Sequence, residues 1–249
     1  MDYSVVIPAY NAESTLDKTL ASIARQTMPV AEVILVNDGS TDGTRAIAER
    51  WGKRLPIKIV DQPINLGLTQ ALIDGVRECK CEWILRIDSD DFWDRNHVQT
   101  IDEIDRNSDV VLVSTQTRMF DNEGRPVGVT AAPNPKFIRV EFMYGNRMCH
   151  SSVAFSKQAY HKAGGYRHFV KWEDYDLWIR LLTVGNYQTV DKITVNYLVR
   201  PDSIYHSTNL CARKLADIAC NKFAIKLFWK QHPLQAIKRI FILGVYYLS

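Results

Sequence analysis

Short apolar runs alternate with amphipathic stretches through the first half of the chain. "YSVVIP" (3–8) is a strand-like run closed by proline, after which Leu16, Leu20, Ile23 and Ala24 recur at helical spacing. "EVILV" (32–36) and "IKIV" (57–60) read as the next two strands, and between them Ser40 or Thr41 is suited to cap a helix with Asp42 in its first turn. "LTQALIDGVREC" carries another helical face, and "EWILRI" (82–87) and "DVVLVST" (109–115) complete the series. Apolar strands spaced by helices predict an α/β fold with a mostly parallel sheet covered by helices on both faces. Such sheets bind ligands beyond the carboxyl ends of their strands.

After residue 120 the rhythm changes. "DNEGRPVG" reads as a turn between short strands, "CHSSVAFS" as a strand and "ITVNYLV" as another. "WEDYDLWIRLLTVG" reads as a helix with Leu177, Trp178, Leu181 and Leu182 on one face. This mixed half is expected to cover the ligand edge of the first. There is no internal repeat, low-complexity segment or Gly/Ser linker.

With 249 residues, 46% of them hydrophobic, the chain can bury a sizeable core. Five cysteines, odd in number and without paired spacing or His partners, argue for ordinary reduced thiols rather than a disulfide framework or zinc site. The opening "MDYSVVIPAYN" lacks the features of a secretory signal, so a cytoplasmic location is expected. The net charge of +3 is unevenly spread. Residues 211–249 carry seven Lys or Arg against the single Asp217, a balance of +6 that leaves residues 1–210 at −3.

The chemistry concentrates where an apolar strand ends in carboxylates. "ILRIDSDDFW" (84–93) places Asp88, Asp90 and Asp91 within four positions, where they would repel one another unless a cation or ligand met them. Together, "VVIPAYN" (5–11), "VNDGSTDGT" (36–44), "NLGLTQAL" (65–72), "DSDD" (88–91) and "WEDYDLWIRL" (172–181) resemble, in order and rough separation, the motifs of family 2 glycosyltransferases over residues 3–205. The resemblance implies a GT-A fold and inverting transfer of a sugar from a nucleotide donor, usually UDP-linked, to an acceptor hydroxyl. The implied layout is a catalytic domain over 1–208, with a nucleotide-sugar-binding half (1–115) and an acceptor half (116–208). A basic amphipathic helical tail follows over 209–249.

That chemistry needs positive charge at the diphosphate, whose negative charge grows as the glycosidic bond breaks. Hard carboxylate oxygens suit Mn²⁺ or Mg²⁺, and Asp90 is the expected direct ligand. By resemblance Asp88 lies near the ribose or beside the metal, with Ser89 in the same donor-binding turn and Asp91 steadying the loop. Solvation of a turn and capping of a helix near residue 94 would also account for the cluster. Asp38, ending the second strand, can accept the uracil imide N–H or serve the turn chemistry of Asn-Asp-Gly-Ser. Pro8, Ala9 and Tyr10 can hold the base by hydrogen bonding and stacking, although Tyr10 also suits a core position. Asn65 belongs to the third motif. Many relatives carry an Arg-Asn pair in the following helix, whereas this chain has Leu72 at the Arg position. Arg86 can restore the missing charge, or form a salt bridge at the sheet edge.

An inverting displacement needs a base on the face opposite the leaving diphosphate. By resemblance Asp174 is that base and Glu173 orients the acceptor, while acids at a helix start also favour the helix dipole. His150 and Arg200 match softer features of the family near the acceptor and in a closing loop. His150 equally suits a structural hydrogen bond, and Arg200 a solvated surface.

In the tail, Pro233 suits the first turn of a helix on which Leu234, Ile237, Ile240, Phe241 and Leu248 form an apolar stripe near Lys226, Lys230, Lys238 and Arg239. Its apolar run is too short to span a bilayer. It fits an anionic membrane surface, where lipid-linked acceptors reside, and it equally fits packing on the catalytic body or on a second copy. The expected partners are therefore a UDP-sugar, a glycan or lipid-linked acceptor and, through the tail, the cytoplasmic face of the inner membrane or a homo-oligomer. No nucleic acid is expected. A sugar-phosphate nucleotidyltransferase and a non-catalytic sugar-binding module are the rival readings. The first would carry a Gly-rich, Arg-containing loop where this chain has "PAYNAEST", and the second has no need of both Asp90 and Asp174.

Overall fold

A computed structural model describes residues 1–104, 109–168, 172–199, 210–236 and 238–240. In chain order the elements are β1 (Tyr3–Ala9), α1 (Leu16–Ala24), β2 (Glu32–Asp38), α2 (Thr44–Trp51), β3 (Ile57–Gln62), α3 (Leu68–Glu78), β4 (Trp83–Arg86) and β5 (Phe92–Trp93). They continue with α4 (His97–Asp102), β6 (Val110–Phe120), β7 (Pro126–Thr130), α5 (Ile138–Glu141), a 3₁₀ turn (His150–Ser152), β8 (Val153–Ser156), α6 (Lys157–Lys162), α7 (Glu173–Leu181), β9 (Asn186–Leu198) and α8 (Leu210–Phe228).

One nine-stranded sheet runs β3-β2-β1-β4-β8-β6-β9-β5, with β7 paired to β6. The first four strands are parallel, as their uninterrupted apolar runs predict. Successive side chains of β1 serve opposite layers. Val5 and Ile7 bury against Leu16, Leu20 and Ile23, while Val6 faces Ala71, Leu72 and Val76. Gly75 of α3 rests on Val6, whose side chain would lie 2.5 Å from an added Cβ, so glycine there sets the close approach of helix to sheet.

Three local expectations change in the folded chain. Helix α2 starts at Thr44 instead of being capped by Ser40 or Thr41, because those residues tie the loops after β1 and β2 together. The Asn11 N–H donates to the Ser40 hydroxyl (3.0 Å), and Asn11 Oδ1 accepts the Thr41 N–H (2.9 Å). The "CHSSVAFS" segment is a strand only from Val153, since the Ser152 N–H and hydroxyl both bond the Cys149 carbonyl (3.0 and 2.8 Å) and close a 3₁₀ turn. The acidic segment runs into strand β5, and no helix begins until His97, so the carboxylates do not cap a helix at 94.

β8 lies between β4 and β6, antiparallel to both, and so brings a later stretch of the chain into the sheet beside the parallel strands. α8 lies against α5 and α7, where Asn221 Oδ1 meets the Tyr175 hydroxyl at 2.9 Å. Helix resumes at Pro233, and the Arg239 Nε–H donates to the Met143 carbonyl (2.9 Å). Leu234 (77% exposed) and Ile240 (51%) of the expected tail stripe face outward. Ile237, Phe241 and Leu248 of that stripe lie outside the described residues, as do Arg200, its loop and the expected boundary at 208. Cys79, Cys81, Cys149 and Cys220 are free thiols.

Candidate active site

The carboxyl ends of β1, β2 and β4 open on one edge because the strands are parallel and in register, with Ala9 opposite Asn37 and Val6 opposite Arg86. Pro8 and Ala9 are buried, whereas Tyr10 just beyond them is 49% exposed, so its ring is available for stacking rather than committed to the core. Asp38 is 3% exposed, and its two oxygens accept the N–H groups of Leu66 (2.6 Å) and Gly67 (3.0 Å). It therefore anchors the loop that carries the exposed Asn65, and a uracil N–H would share a carboxylate already in use. Gly39 allows that loop to close in, since an added Cβ would sit 2.4 Å from the Ile64 carbonyl carbon, and its φ of +68° favours glycine.

Asp88, Asp90 and Asp91 each direct a carboxylate oxygen to within 4.8 Å of the others. Their surroundings separate their roles. Asp91 is fully buried, takes the Ser151 hydroxyl and the Leu198 N–H (3.1 Å), and lends its carbonyl to the Thr19 hydroxyl (2.7 Å). Burial, then the charges of Asp88 and Asp90, push its carboxyl well above the ordinary range. Asp88 accepts two parallel bonds from the Arg86 guanidinium, and its backbone N–H donates to the Ser151 hydroxyl oxygen (3.0 Å). Asp90 and Ser89, like Asp88, are partly exposed.

Arg86 is 1% exposed. Burial works against its charge, but the charge and hydrogen bonds of Asp88 outweigh that and hold the guanidinium above its ordinary pKa. The same charge reaches Glu173 and Asp174 at the start of α7, which joins the two carboxylate groups in one electrostatic field. Glu173 is raised to about 7 by burial and by Asp174. Asp174 is raised to about 6, mainly by burial, against the donors Tyr175 N–H (2.6 Å) and Asn146 Nδ2 (2.8 Å). Asp176 of the same helix start is fully buried and pairs with Arg167 and Arg180, so it holds the fold. Trp172, immediately before Glu173, has a left-handed backbone (φ 70°), and its carbonyl accepts the Asp176 N–H (2.9 Å) to begin the helix. His150 bonds the Tyr166 hydroxyl (2.8 Å) and meets Trp178 edge-on. Burial, then the charge of Arg86, keeps it well below its usual pKa and neutral.

The profile described as Glycosyl transferase family 2 matches residues 4–164, a span that contains the β1, β2 and β4 strand ends and the acidic turn. The chain belongs to this family. It is 32% identical over 192 residues to "Amylovoran biosynthesis glycosyltransferase AmsE" of Erwinia amylovora, covering 74% of this chain and 71% of that one. It is 30% identical over 200 residues to "UDP-Gal:alpha-D-GlcNAc-diphosphoundecaprenol beta-1,3-galactosyltransferase" of Escherichia coli, covering 78% and 73%. Among solved structures, S. aureus TarS in complex with UDP-GlcNAc superposes with a TM-score of 0.69 at 18% identity, covering 96% of this chain and 79% of that one. The fold is GT-A.

As a family 2 glycosyltransferase the chain is an enzyme, which sets aside the nucleotidyltransferase and binding-module readings. Within this glycosyltransferase, three residues that sequence reasoning passed over take part in the site. Ser151 links Asp88 to Asp91, Asn146 holds Asp174, and the Tyr197 phenol is pushed up by burial and then by the charges of Asp88 and Asp91. Only Ser151 had a nearby signal, the His150 beside it. Asn146 and Tyr197 sit in ordinary loop and strand sequence and reach the site through the fold.

Proposed function

We propose that this glycosyltransferase moves a sugar from a UDP-sugar to a hydroxyl of a glycan or lipid-linked oligosaccharide, with inversion at the anomeric carbon and with Mn²⁺ or Mg²⁺ bound, in cell-surface polysaccharide biosynthesis. The observation that carries this reading is the buried Arg86, which grips Asp88 in the donor turn while its charge reaches the acid pair at α7.

The residues present fit a hard divalent cation. Three carboxylates converge, two of them are held by Arg86 and Ser151, and Asp90 would serve as the direct ligand with Asp88 beside it. Such an ion supplies positive charge to the leaving diphosphate. The protein's own part is positional. Tyr10, Pro8 and Ala9 hold the base at the end of β1, Asp38 and Asn65 close the adjoining loop, and Asp88 and Ser89 line the donor turn. Asp174 removes the acceptor proton as the acceptor oxygen bonds to C1 and the C1–O bond to the diphosphate breaks, its electron pair leaving with UDP. Glu173 orients the acceptor, with neutral His150, held by the Tyr166 hydroxyl, as a further acceptor-side residue.

The galactosyltransferase relative, whose name specifies a diphosphoundecaprenol acceptor, supports a lipid-linked acceptor here. Lys226, Trp229, Lys230, Leu234, Lys238 and Ile240 are exposed, and this mixture of cations and apolar side chains supports contact with an anionic membrane surface. No helix among the described residues is long and apolar enough to cross a membrane. The decisive assay offers a panel of UDP-sugars with and without Mn²⁺ and measures binding, hydrolysis and transfer to a lipid-diphosphate sugar. Absence of any UDP-sugar binding would reject the reading.

A further inference from the structure

Two adjacent acids stand at the start of α7, and sequence alone gives no chemical reason why one of them and not the other should take the acceptor proton. The described residues treat them differently. Asn146 Nδ2 donates to Asp174 Oδ2 at 2.8 Å, and the second oxygen of Asp174 accepts the Tyr175 N–H at 2.6 Å. The orientation of the Asn146 amide is itself set, because its oxygen accepts the Met148 N–H at 3.1 Å, which leaves the NH₂ group facing Asp174. Gly145, with φ 152°, supplies the backbone conformation that delivers Asn146 to this point. Glu173 receives no side-chain donor among the described residues, only its own backbone N–H.

The other charges facing the pair are common to both members. Arg86 of β4 lowers both, Asp88 of the donor turn raises both, and the Tyr166 phenol lies in the same field. The two acids differ in the charge of Asp174, which raises Glu173, and in their donors: Asp174 accepts the Tyr175 N–H and the Asn146 amide, and Glu173 only its own backbone N–H. A donor to the ionised form favours ionisation, so the Asn146 amide favours the ionised form of Asp174 over that of Glu173.

We propose that Asn146 is a positioning residue that makes Asp174, rather than Glu173, the group that receives the acceptor proton. This rests on the glycosyl-transfer reading above. The Asn146 amide meets Asp174 and the Met148 N–H. It acts through Asp174, fixing the rotamer and the ionised form of that carboxylate.

The test uses the intact chain without donor or metal, following the Glu173 and Asp174 side-chain carboxyl carbons by ¹³C NMR across pH 4–9. The wild type should show Asp174 titrating below Glu173. Asn146→Leu, similar in size but without a donor, should raise the Asp174 midpoint by about one pH unit and erase or invert that order. With UDP-sugar and acceptor, the same variant should lose roughly 10- to 100-fold in kcat while keeping UDP affinity within about twofold, and the acidic limb of its rate profile should move upward. Should Asn146→Leu fail to fold, the isosteric Asn146→Asp makes the same comparison with a larger rise. Unchanged midpoints in a folded variant would overturn the proposal, as would a fall in kcat with an unmoved acidic limb, which marks a purely structural role. A wild type that transfers no sugar while the titration order holds would overturn the functional reading and with it the base assignment, but would leave the Asn146–Asp174 coupling standing.

Discussion

Arg86 grips both carboxylate oxygens of Asp88 from a position that is 1% exposed, and its charge also lowers the pKa of Asp174. One buried cation thus steadies the acidic turn and favours the ionised form of Asp174. Replacing it with Met leaves Asp88 beside Asp90 and Asp91 without that counter-charge. Breaking a fully buried pair typically costs ~3–5 kcal/mol, and the partial exposure of Asp88 reduces this to about 2 kcal/mol. Arg86→Met should therefore lower Tm and weaken UDP binding together, while Arg86→Lys keeps the charge but loses the two-pronged contact and falls between. Thermal melts and UDP titration check this, and a Met variant with wild-type values for both would refute it.

Asp90→Ala should abolish metal-linked donor binding while the fold survives, because Asp91 and Asp88 keep their Ser151 and Arg86 contacts. Calorimetric titration of UDP with and without Mn²⁺ measures the difference. An unchanged Mn²⁺ dependence in a folded variant would remove Asp90 from the ligand set.

Asp174→Asn should retain UDP-sugar affinity and lower the transfer rate by roughly 10²-fold or more, as expected when a positioned general base is lost. If donor affinity collapsed while turnover of bound donor stayed normal, Asp174 would belong to the donor site instead.

The raised pair also predicts a pH dependence of stability. Glu173 and Asp174 titrate near 7 and 6 in the folded chain, above their unfolded values of about 4, so the fold favours their protonated forms. The stability this contributes is present below about pH 4 and is lost as pH rises through 6 and 7. Glu173→Gln should therefore raise Tm at pH 8 and leave it nearly unchanged at pH 4. Equal shifts at both values would contradict the assignment.

If the tail meets lipid, binding to anionic liposomes should weaken with salt, with each Lys near the surface contributing about 1 kcal/mol. Lys226→Glu/Lys230→Glu, at exposed positions on α8 and in the turn just after it, should reduce sedimentation with anionic vesicles and leave UDP binding intact. Equal sedimentation of variant and wild type would exclude this face as the membrane contact. A shift from dimer to monomer without lipid binding would assign the face to a second copy.

The amino-acid sequence alone determined the features that depend on neighbours along the chain. The alternation of apolar runs and helical faces through residue 115 specified β1 to β4 and α1 to α3, because strand and helix burial leave periods of 2 and 3.6 in any sequence. The five motifs specified the family, and the Arg86–Asp88 contact, only two residues apart, lay within reach of the same reading. The tertiary structure decided what depends on distant segments meeting. It inserted β8 between β4 and β6, used Ser40 and Thr41 to join loops instead of capping a helix, and committed both oxygens of Asp38 to Leu66 and Gly67. It also brought Ser151 to Asp91 across 60 residues and Asn146 to Asp174 across 28. Such contacts leave no periodic trace, because a single serine or asparagine can satisfy itself with water or a local turn until the packed sheet excludes the water and presents one carboxylate.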